Sequence, residues 1–243
     1  MKERKERKER EEADEKGTGR MFDSIAWRYD FLNHLLSFGI DRSWRRRAVR
    51  EISKRCINPR IIDVASGTGD LAIEAARMSP SGITGIDISE KMLEIARKKI
   101  ADKKLDSVIQ FVKCESENIC FEDESFDAAM VAFGVRNFSD PLKGLSEMRR
   151  VIREGGIVVV LEFSRPHGTI FKHFYNIYFR YLLPFIGFLF SGHGEAYRYL
   201  NESVMNFPEN GEFIGIMTSA GFSGISQTRM TGGIASIYTG VRK

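Results

Sequence analysis

A short turn that combines two glycines with two acids is the part of the chain best suited to ligand chemistry. Residues 61–70 read Ile-Ile-Asp-Val-Ala-Ser-Gly-Thr-Gly-Asp, an apolar strand followed by a glycine-bracketed turn. Glycine lets the backbone turn sharply and lets a ligand approach the main chain. The helix expected to begin near Asp70 presents N–H groups that normally attract anions. The carboxylates of Asp63 and Asp70 would instead repel a pyrophosphate, so they favour a ligand with a cationic end.

Two cofactor classes fit this turn. S-adenosylmethionine (SAM) has a sulfonium, an amino acid end and no phosphate, which suits the two acids. Residues 67–72 also satisfy the loose dinucleotide fingerprint of an NAD(P)-binding Rossmann oxidoreductase, and Asp70 could serve only as a helix N-cap. The next apolar run, 83–88, ends in Asp87 and Ile88. A carboxylate there can bind both ribose hydroxyls of an adenosine, so Asp87 predicts a nucleoside without choosing between NAD and SAM.

A parallel sheet is needed to position these turns, and the apolar pattern predicts one. Strands are expected over residues 61–64, 83–88, 108–112, 126–133 and 157–163, with helices over 70–78, 90–100 and 141–152. Repeated βα units imply a mostly parallel, doubly wound α/β sheet, and Gly232-Gly233 predicts a terminal antiparallel hairpin between 224–230 and 234–241. This is the layout of the class I SAM-dependent methyltransferase fold, whereas a dinucleotide dehydrogenase would more often continue with βα units.

Length and charge divide the chain into a leader and one domain. Residues 1–16 carry seven basic and seven acidic side chains with almost nothing apolar, which predicts a leader that is a frayed helix or disordered. Residues 17–243 suit a single domain with N-terminal helices and a helical cover over residues 166–210. Within it, residues 170–191 are aromatic-rich, but polar and charged side chains interrupt them, so a membrane-spanning helix is not expected. They fit equally a helix packed on the core and an amphipathic cover over an apolar pocket, resting on the bilayer.

The formal net charge of +4 lies within residues 17–50, where five arginines cluster between Arg42 and Arg50. Such a cluster fits a solvated surface with ordinary ion pairs, attraction to a membrane surface, or nucleic-acid binding. No zinc-finger spacing, RNA-recognition signature or GXXG clamp accompanies it. No nucleic-acid partner is therefore expected, although a nucleic-acid methyltransferase that uses this cluster stays open as an alternative function.

Cysteine and histidine spacing predicts neither a metal site nor a disulfide. Cys56, Cys114 and Cys120 form no CxxC pair and are odd in number, so reduced thiols of a cytosolic protein are expected. The four histidines show no ligand spacing. The N-terminus is charged throughout, which excludes a signal peptide and predicts a cytoplasmic protein.

Several segments together resemble a known family. The resemblance runs from Met21 to the C-terminus. The segments that match the family are residues 21–30 (MFDSIAWRYD), 36–40 (LSFGI), 63–70, 133–138 (FGVRNF), 161–164 (LEFS) and 197–203 (YRYLNES). The glycine turn is shared by many enzymes, whereas FGVRN and YRYLxES are far narrower. On these segments the chain resembles the ubiquinone/menaquinone biosynthesis C-methyltransferases, of the demethylmenaquinone methyltransferase type.

The resemblance implies SAM-dependent methylation of a ring carbon in a prenylated hydroquinone, from demethylmenaquinol to menaquinol and also in the ubiquinone-pathway benzoquinol. An aromatic carbon attacks a sulfonium methyl well only after an adjacent ring hydroxyl has lost its proton, so the reduced quinol must be the substrate. Arg136, as a fixed cation against that phenolate, is the first catalytic candidate. Tyr29 and Asn137 are candidates to bond the ring oxygens.

The resemblance also implies a cofactor site. Its residues are Asp63, Gly67, Thr68 and Gly69 around the methionine end, Asp87 and Ile88 on the ribose, Glu115 and Ser116 at the adenine, and Ala132. Relatives usually have Asp or Asn followed by Ala where Glu115-Ser116 stands, serine where Ala132 stands and proline where Cys120 stands. The implied partners are a prenylated quinol and, transiently, the inner face of the cytoplasmic membrane, with a homodimer or a quinone-biosynthesis complex left open.

Overall fold

A seven-stranded mixed sheet forms the centre of the molecule in the computed structural model, which describes residue 37 and residues 39–165 and 203–243. The strands are β1 (Arg60–Val64), β2 (Gly82–Asp87), β3 (Ile109–Lys113), β4 (Phe126–Ala132), β5 (Ile152–Phe163), β6 (Phe222–Met230) and β7 (Ala235–Arg242). The helices are α1 (Asp41–Ser53), α2 (Asp70–Ala75), α3 (Glu90–Asp102), α4 (Pro141–Val151) and α5 (Gly211–Ser219).

The strand order is β3-β2-β1-β4-β5-β7-β6. Strands β1 to β5 are parallel, and β7 inserts antiparallel between β5 and β6. The predicted doubly wound sheet with a terminal antiparallel hairpin is therefore confirmed, and the fold is that of class I methyltransferases. The chain leaves β1 for β2 on one side and later returns to β4 on the other, so the carboxyl ends of β1 and β4 flank the crevice where such sheets bind ligands.

Helices cover both faces of the sheet, which is why the central strands are apolar on both sides. On one face, α1 and α3 pack on the sheet through Trp44, Ile52 and Leu93. On the other, α4 and α5 pack through Met148 and Phe213. Local capping fixes where two of the helices begin: the Ser89 side chain accepts from the Met92 N–H, and the Asp140 side chain accepts from the Lys143 N–H, one residue before Pro141.

Some element boundaries differ from the predicted ones. Strand β5 begins at Ile152 rather than at residue 157, because Gly155-Gly156 forms an irregularity inside the strand instead of ending it. Helix α2 ends at Ala75 and continues as the 3₁₀ turn Ala76–Met78. Helix α5 was not predicted, since its two glycines and mixed side chains give little periodic signal.

The cysteine prediction is wrong for two of the three residues. The structure joins Cys114 and Cys120 as a disulfide pair, with Cα atoms 6.0 Å apart, and only Cys56 is a free thiol. No CxxC spacing signals this pair, because the two cysteines are six positions apart and flank a turn after β3 in which the backbone of Glu115 bridges to Asn118.

Several predictions fall on residues outside those that the structure describes. These are the charged leader 1–16, most of the N-terminal region with Tyr29, and residues 166–202 of the proposed cover. Within the described ranges, no helix is both long and apolar enough to cross a bilayer. The same residues contain no group of His, Cys, Asp and Glu suited to hold a metal ion.

Candidate active site

The turn between β1 and α2 is held in a conformation that favours glycine. Gly67 and Gly69 have φ values of 54° and 83°, and Ala65 has 52°. A Cβ atom on Gly69 would lie 2.6 Å from Cζ of Phe111, closer than real contacts allow. Glycine is therefore required at position 69 for two reasons, the positive φ of the backbone and the tight packing of the turn on β3.

Asp87, at the carboxyl end of β2, holds this turn in place. Its Oδ2 accepts from the Gly67 N–H at 2.8 Å, and its Oδ1 accepts from the Ser89 N–H at 2.9 Å. A carboxylate can accept about four hydrogen bonds. These backbone contacts are thus compatible with the predicted binding of a ribose, and they orient the carboxylate toward the crevice between the strands.

A cleft opens beside Asp87, and we call it the nucleoside cleft. It is lined by Ala65, Gly67, Asp87, Ile88, Met92, Cys114, Ser116, Phe133, Gly134, Asn137 and Phe138. Five of these residues, Gly67, Asp87, Ile88, Ser116 and Asn137, were predicted site residues. Four of the eleven lining residues, Met92, Cys114, Phe133 and Phe138, have sulfur-containing or aromatic side chains, so the cleft offers apolar surface to a planar group.

A second cavity, the acidic cavity, adjoins the first across the same turn. It is lined by Arg45, Asp63, Ala65, Ser66, Gly67, Thr68, Asp70, Leu71, Ala132 and Phe133. Ala65, Gly67 and Phe133 line both cavities, so the two are the ends of one site. Asp63, Thr68 and Ala132, three further predicted residues, lie here.

Asp63 is the distinctive group of the acidic cavity. Its side chain is buried at 1% exposure, and its Oδ2 has no hydrogen-bond partner. Burial raises the pKa of the Asp63 carboxyl well above its usual range, although the Ala72 backbone N–H and the charge of Arg45 lower it. A buried polar atom without a partner costs about 1–3 kcal/mol. A cationic ligand group that reached Asp63 would remove this cost, so the cavity fits the ammonium of an amino acid.

The other charges of the acidic cavity are paired. Nζ of Lys99 lies 2.6 Å from Oδ1 of Asp70 and donates to the Thr68 hydroxyl at 3.1 Å. Nη1 of Arg45 lies against Oδ2 of Asp41 and 3.7 Å from Oδ2 of Asp70. Asp70, which opens α2, is therefore bound into a charge network rather than acting only as a helix cap.

Arg136, the first catalytic candidate, lies in the 3₁₀ turn Val135–Asn137 after β4. Its Nη1 donates to the Phe133 carbonyl and to Oε1 of Glu162 at 2.7 Å, and its backbone N–H donates to Oε2 of the same carboxylate at 3.3 Å. The guanidinium carbon lies 5.4 Å from the centre of the Phe163 ring. Glu162 thus neutralises Arg136, whose side chain does not line either cavity. Its neighbour Asn137 does.

The structure therefore brings together most of the predicted cofactor residues but not all. Glu115 is exposed and lies outside the linings of both cavities, while the next residue, Ser116, lines the nucleoside cleft. Gly69 shapes the turn and lines neither of the two cavities. The sequence reasoning gave no role to Arg45 or Glu162. In the sequence, Arg45 is one of five clustered arginines, and Glu162 stands out only as part of the segment LEFS.

Comparison with known proteins gives a family match, two curated relatives and a solved structure. A model of the ubiE/COQ5 methyltransferase family matches residues 9–242, and so begins within the charged leader. The "Ubiquinone/menaquinone biosynthesis C-methyltransferase UbiE" of Geotalea daltonii is 50% identical over 222 residues, covering 90% of this chain and 94% of the relative. The "Demethylmenaquinone methyltransferase" of Bacteroides fragilis is 42% identical over 224 residues, covering 92% and 91%.

Among solved structures, a SAM-dependent methyltransferase from Thermotoga maritima matches with a TM-score of 0.66 at 20% identity, covering 92% of this chain and 99% of that chain. At this identity the match shows the shared fold. Neither the oxidoreductase nor the nucleic-acid methyltransferase alternative is supported by the curated relatives.

Proposed function

The chain belongs to the ubiE/COQ5 methyltransferase family, and we propose that it uses SAM to methylate a ring carbon of a prenylated hydroquinone, with demethylmenaquinol as substrate and menaquinol as product. The choice of SAM as the cofactor rests on the buried Asp63 carboxylate, which lies beside the nucleoside cleft. The choice of acceptor is supported by the name of the Bacteroides relative. The name of the Geotalea relative, which joins ubiquinone and menaquinone, supports the benzoquinol as a second acceptor.

The two cavities divide the work of binding SAM between them. Asp87 accepts from the ribose hydroxyls, and Met92, Phe133 and Phe138 of the nucleoside cleft enclose the adenine with Ser116 at its edge. Asp63 receives the ammonium in the acidic cavity. Gly67 lines both cavities. Its backbone therefore borders the position between the two cavities that the sulfonium of bound SAM would occupy.

SAM supplies a methyl group on a positively charged sulfur. The quinol gives up a hydroxyl proton to water, and charge from the phenolate reaches the ring carbon ortho to it. That carbon forms a bond to the methyl carbon while the bond from methyl to sulfur breaks and its electron pair stays on the sulfur. The ring carbon then loses its own hydrogen to water as a proton, and the ring oxygen regains a proton, which gives the methylated quinol. Because a negative and a positive charge cancel in this step, an enclosed apolar site favours it over open water.

Arg136 and Asn137 are proposed to bind the ring oxygens of the quinol, together with Tyr29. Arg136 forms a buried pair with Glu162, so the pair carries no net charge. The Arg136 guanidinium would therefore stabilise the developing phenolate as a fixed hydrogen-bond donor rather than as an isolated cation. Asn137 already lines the cleft through which the ring must approach the methyl group.

Transient contact with the inner face of the cytoplasmic membrane is proposed because the acceptor carries a prenyl tail. Arg42, Arg46 and Arg50 lie at four-residue intervals on α1 and are all exposed. Each basic side chain near an anionic surface adds about 1 kcal/mol of attraction. We name these three residues the arginine stripe.

Two experiments test the proposal. Calorimetric titration of the protein with SAM and, separately, with NADH distinguishes the two cofactor classes, and only SAM is expected to bind. Quinones extracted from cells that lack the protein should contain the demethylated form. Accumulation of demethylmenaquinone identifies the naphthoquinol as acceptor, whereas an unchanged quinone pool would refute the proposed acceptor.

A further inference from the structure

We propose that Arg45 binds the carboxylate of the amino acid end of SAM, so that Arg45 and Asp63 together recognise a zwitterion. The inference rests on the SAM-dependent function proposed above and extends it to a residue of α1 for which sequence reasoning suggested only surface roles. With Arg45 and Asp63 in these roles, the acidic cavity is selective for a ligand that carries both an ammonium and a carboxylate.

Arg45 differs from the other arginines of its helix in its surroundings. It is 7% exposed, whereas Arg42, Arg46 and Arg50 are exposed. The residues buried with it on the same face of α1 are Asp41, Trp44, Ala48, Val49 and Ile52. A charged side chain is rarely buried on such a face unless it is paired, and this one lines the same cavity as Asp63 and Thr68.

The guanidinium of Arg45 is held in one orientation. Its Nη1 contacts Oδ2 of Asp41, whose Oδ1 accepts from the Ser37 hydroxyl at 2.7 Å. The guanidinium carbon lies 5.6 Å from the centre of the Phe133 ring, which also lines the cavity. A planar guanidinium has five N–H donors in a fixed fork that matches a carboxylate. Asp41 and Phe133 thus pre-orient a carboxylate-binding group at the cavity wall.

Charge balance supports the same assignment. The acidic cavity and its immediate partners contain three carboxylates, Asp41, Asp63 and Asp70, and two cations, Arg45 and Lys99. With all five ionised, the set carries one excess negative charge. SAM carries an ammonium, a sulfonium and a carboxylate, and hence one excess positive charge. A ligand without the carboxylate would bring two positive charges, so one positive charge would remain in excess in the cavity that Arg45 lines.

The test compares SAM with decarboxylated SAM, which keeps the adenosine, the sulfonium and the ammonium. Dissociation constants are measured by calorimetry on the full-length protein at one pH and without quinol. The variants are Arg45→Met, which keeps the apolar stem, Arg45→Lys, and Arg47→Met as a control on the same helix, since Arg47 pairs with Glu51 outside the cavity. The wild type and the control should bind SAM roughly 30- to 100-fold more tightly than decarboxylated SAM, the size of one charged hydrogen-bonded contact.

Arg45→Met should lose that preference, through weaker binding of SAM and nearly unchanged binding of decarboxylated SAM, and Arg45→Lys should keep part of it. An equal loss for both ligands would show that Arg45 only supports the fold and would overturn the proposal. If Arg45→Met does not fold, the wild type still decides, because equal affinity for the two ligands contradicts a carboxylate contact. Failure of quinol methylation with this preference intact would refute the proposed acceptor and leave the role of Arg45 standing.

Discussion

Nη1 of Arg136 lies 2.7 Å from Oε1 of Glu162, and the two side chains are 3% and 0% exposed. They lie 26 residues apart in the chain, at the carboxyl ends of the neighbouring parallel strands β4 and β5. The Phe133 and Phe163 rings stack with centroids 4.4 Å apart, and Arg45 lies over the first ring while Arg136 lies over the second. This aromatic pair connects the acidic cavity with the proposed quinol-binding end of the site.

Removing Arg136 alone is expected to affect folding as well as catalysis. Arg136→Met leaves the Glu162 carboxylate buried without its partner, a change that typically costs about 3–5 kcal/mol. The double variant Arg136→Met/Glu162→Gln removes the buried charge and keeps an oxygen that can accept from the backbone N–H groups of residues 136 and 163, so it should recover most of that free energy of unfolding in urea titrations. Its turnover should stay about 100- to 1000-fold below wild type, with SAM affinity nearly unchanged, because one stabilising donor has been lost. Near-normal turnover in the stable double variant would mean that Arg136 has a structural role only.

Asp63 should make both stability and SAM binding depend on pH. Burial raises the pKa of Asp63 in the folded protein above its unfolded value, so the contribution of this group to stability is complete at low pH and is lost as the pH rises through the folded-state pKa. At pH 8 the ligand-free Asp63→Asn variant should therefore melt at a higher temperature than wild type, and the difference should shrink on acidification.

SAM binding should follow the opposite trend, since its ammonium needs the ionised carboxylate and binding expels the proton. Up to about pH 7, where the α-amino group of SAM is still protonated, the SAM affinity of the wild type should rise with pH, and that of Asp63→Asn should be weaker and less dependent on pH. Asp106→Asn, a change at an exposed carboxylate, is the control for both measurements. A wild-type affinity that falls as the pH rises toward about 7, below the pKa of an α-amino group, would contradict this role of Asp63.

Gly69 and Gly155 provide a matched pair for testing the turn. Both have positive φ, 83° and 76°, but a Cβ on Gly69 would meet Phe111 whereas one on Gly155 meets nothing within 4 Å. Gly155→Ala should therefore cost only about 1–2 kcal/mol of stability for its backbone angle and bind SAM normally. Gly69→Ala should cost more and weaken SAM binding, as measured by urea unfolding and calorimetry. Equal effects on SAM binding would show that the packing of this turn does not control the site.

The arginine stripe should control membrane attachment. Changing Arg42, Arg46 and Arg50 together to Gln should lower the partition coefficient onto anionic vesicles, measured by cosedimentation, by roughly 30- to 100-fold, because each charge adds about 1 kcal/mol and that of Arg46 is partly offset by its ion pair with Glu74. High salt should abolish the wild-type binding. Lys98, Lys103 and Lys104, which lie near the end of α3, provide a triple Gln control of equal charge. A control that loses as much binding as the stripe variant would show that net charge acts, rather than this surface of α1.

Local patterns in the sequence were sufficient to predict the sheet, the turn and the hairpin. Apolar runs marked the strands, and the acids at Asp63 and Asp87 mark the carboxyl ends of β1 and β2 in the structure. Contacts between distant segments were not predictable in this way. Arg45 looked like its neighbours because only the packing of α1 on the sheet decides which arginine is buried. Glu162 carried no local signal for a pairing with Arg136, since the register of β4 and β5 creates it.

The most direct test of the proposed function follows the methyl group itself. The purified full-length protein is incubated with SAM carrying a ¹³C-labelled methyl group and with demethylmenaquinone, either reduced to the quinol or left oxidised, and the extracted quinone is analysed by mass spectrometry. The proposal predicts a single labelled methyl on the ring carbon in the reduced sample and none in the oxidised one. Binding of SAM without transfer of the label to the quinol, or equal labelling of the two samples, would contradict it.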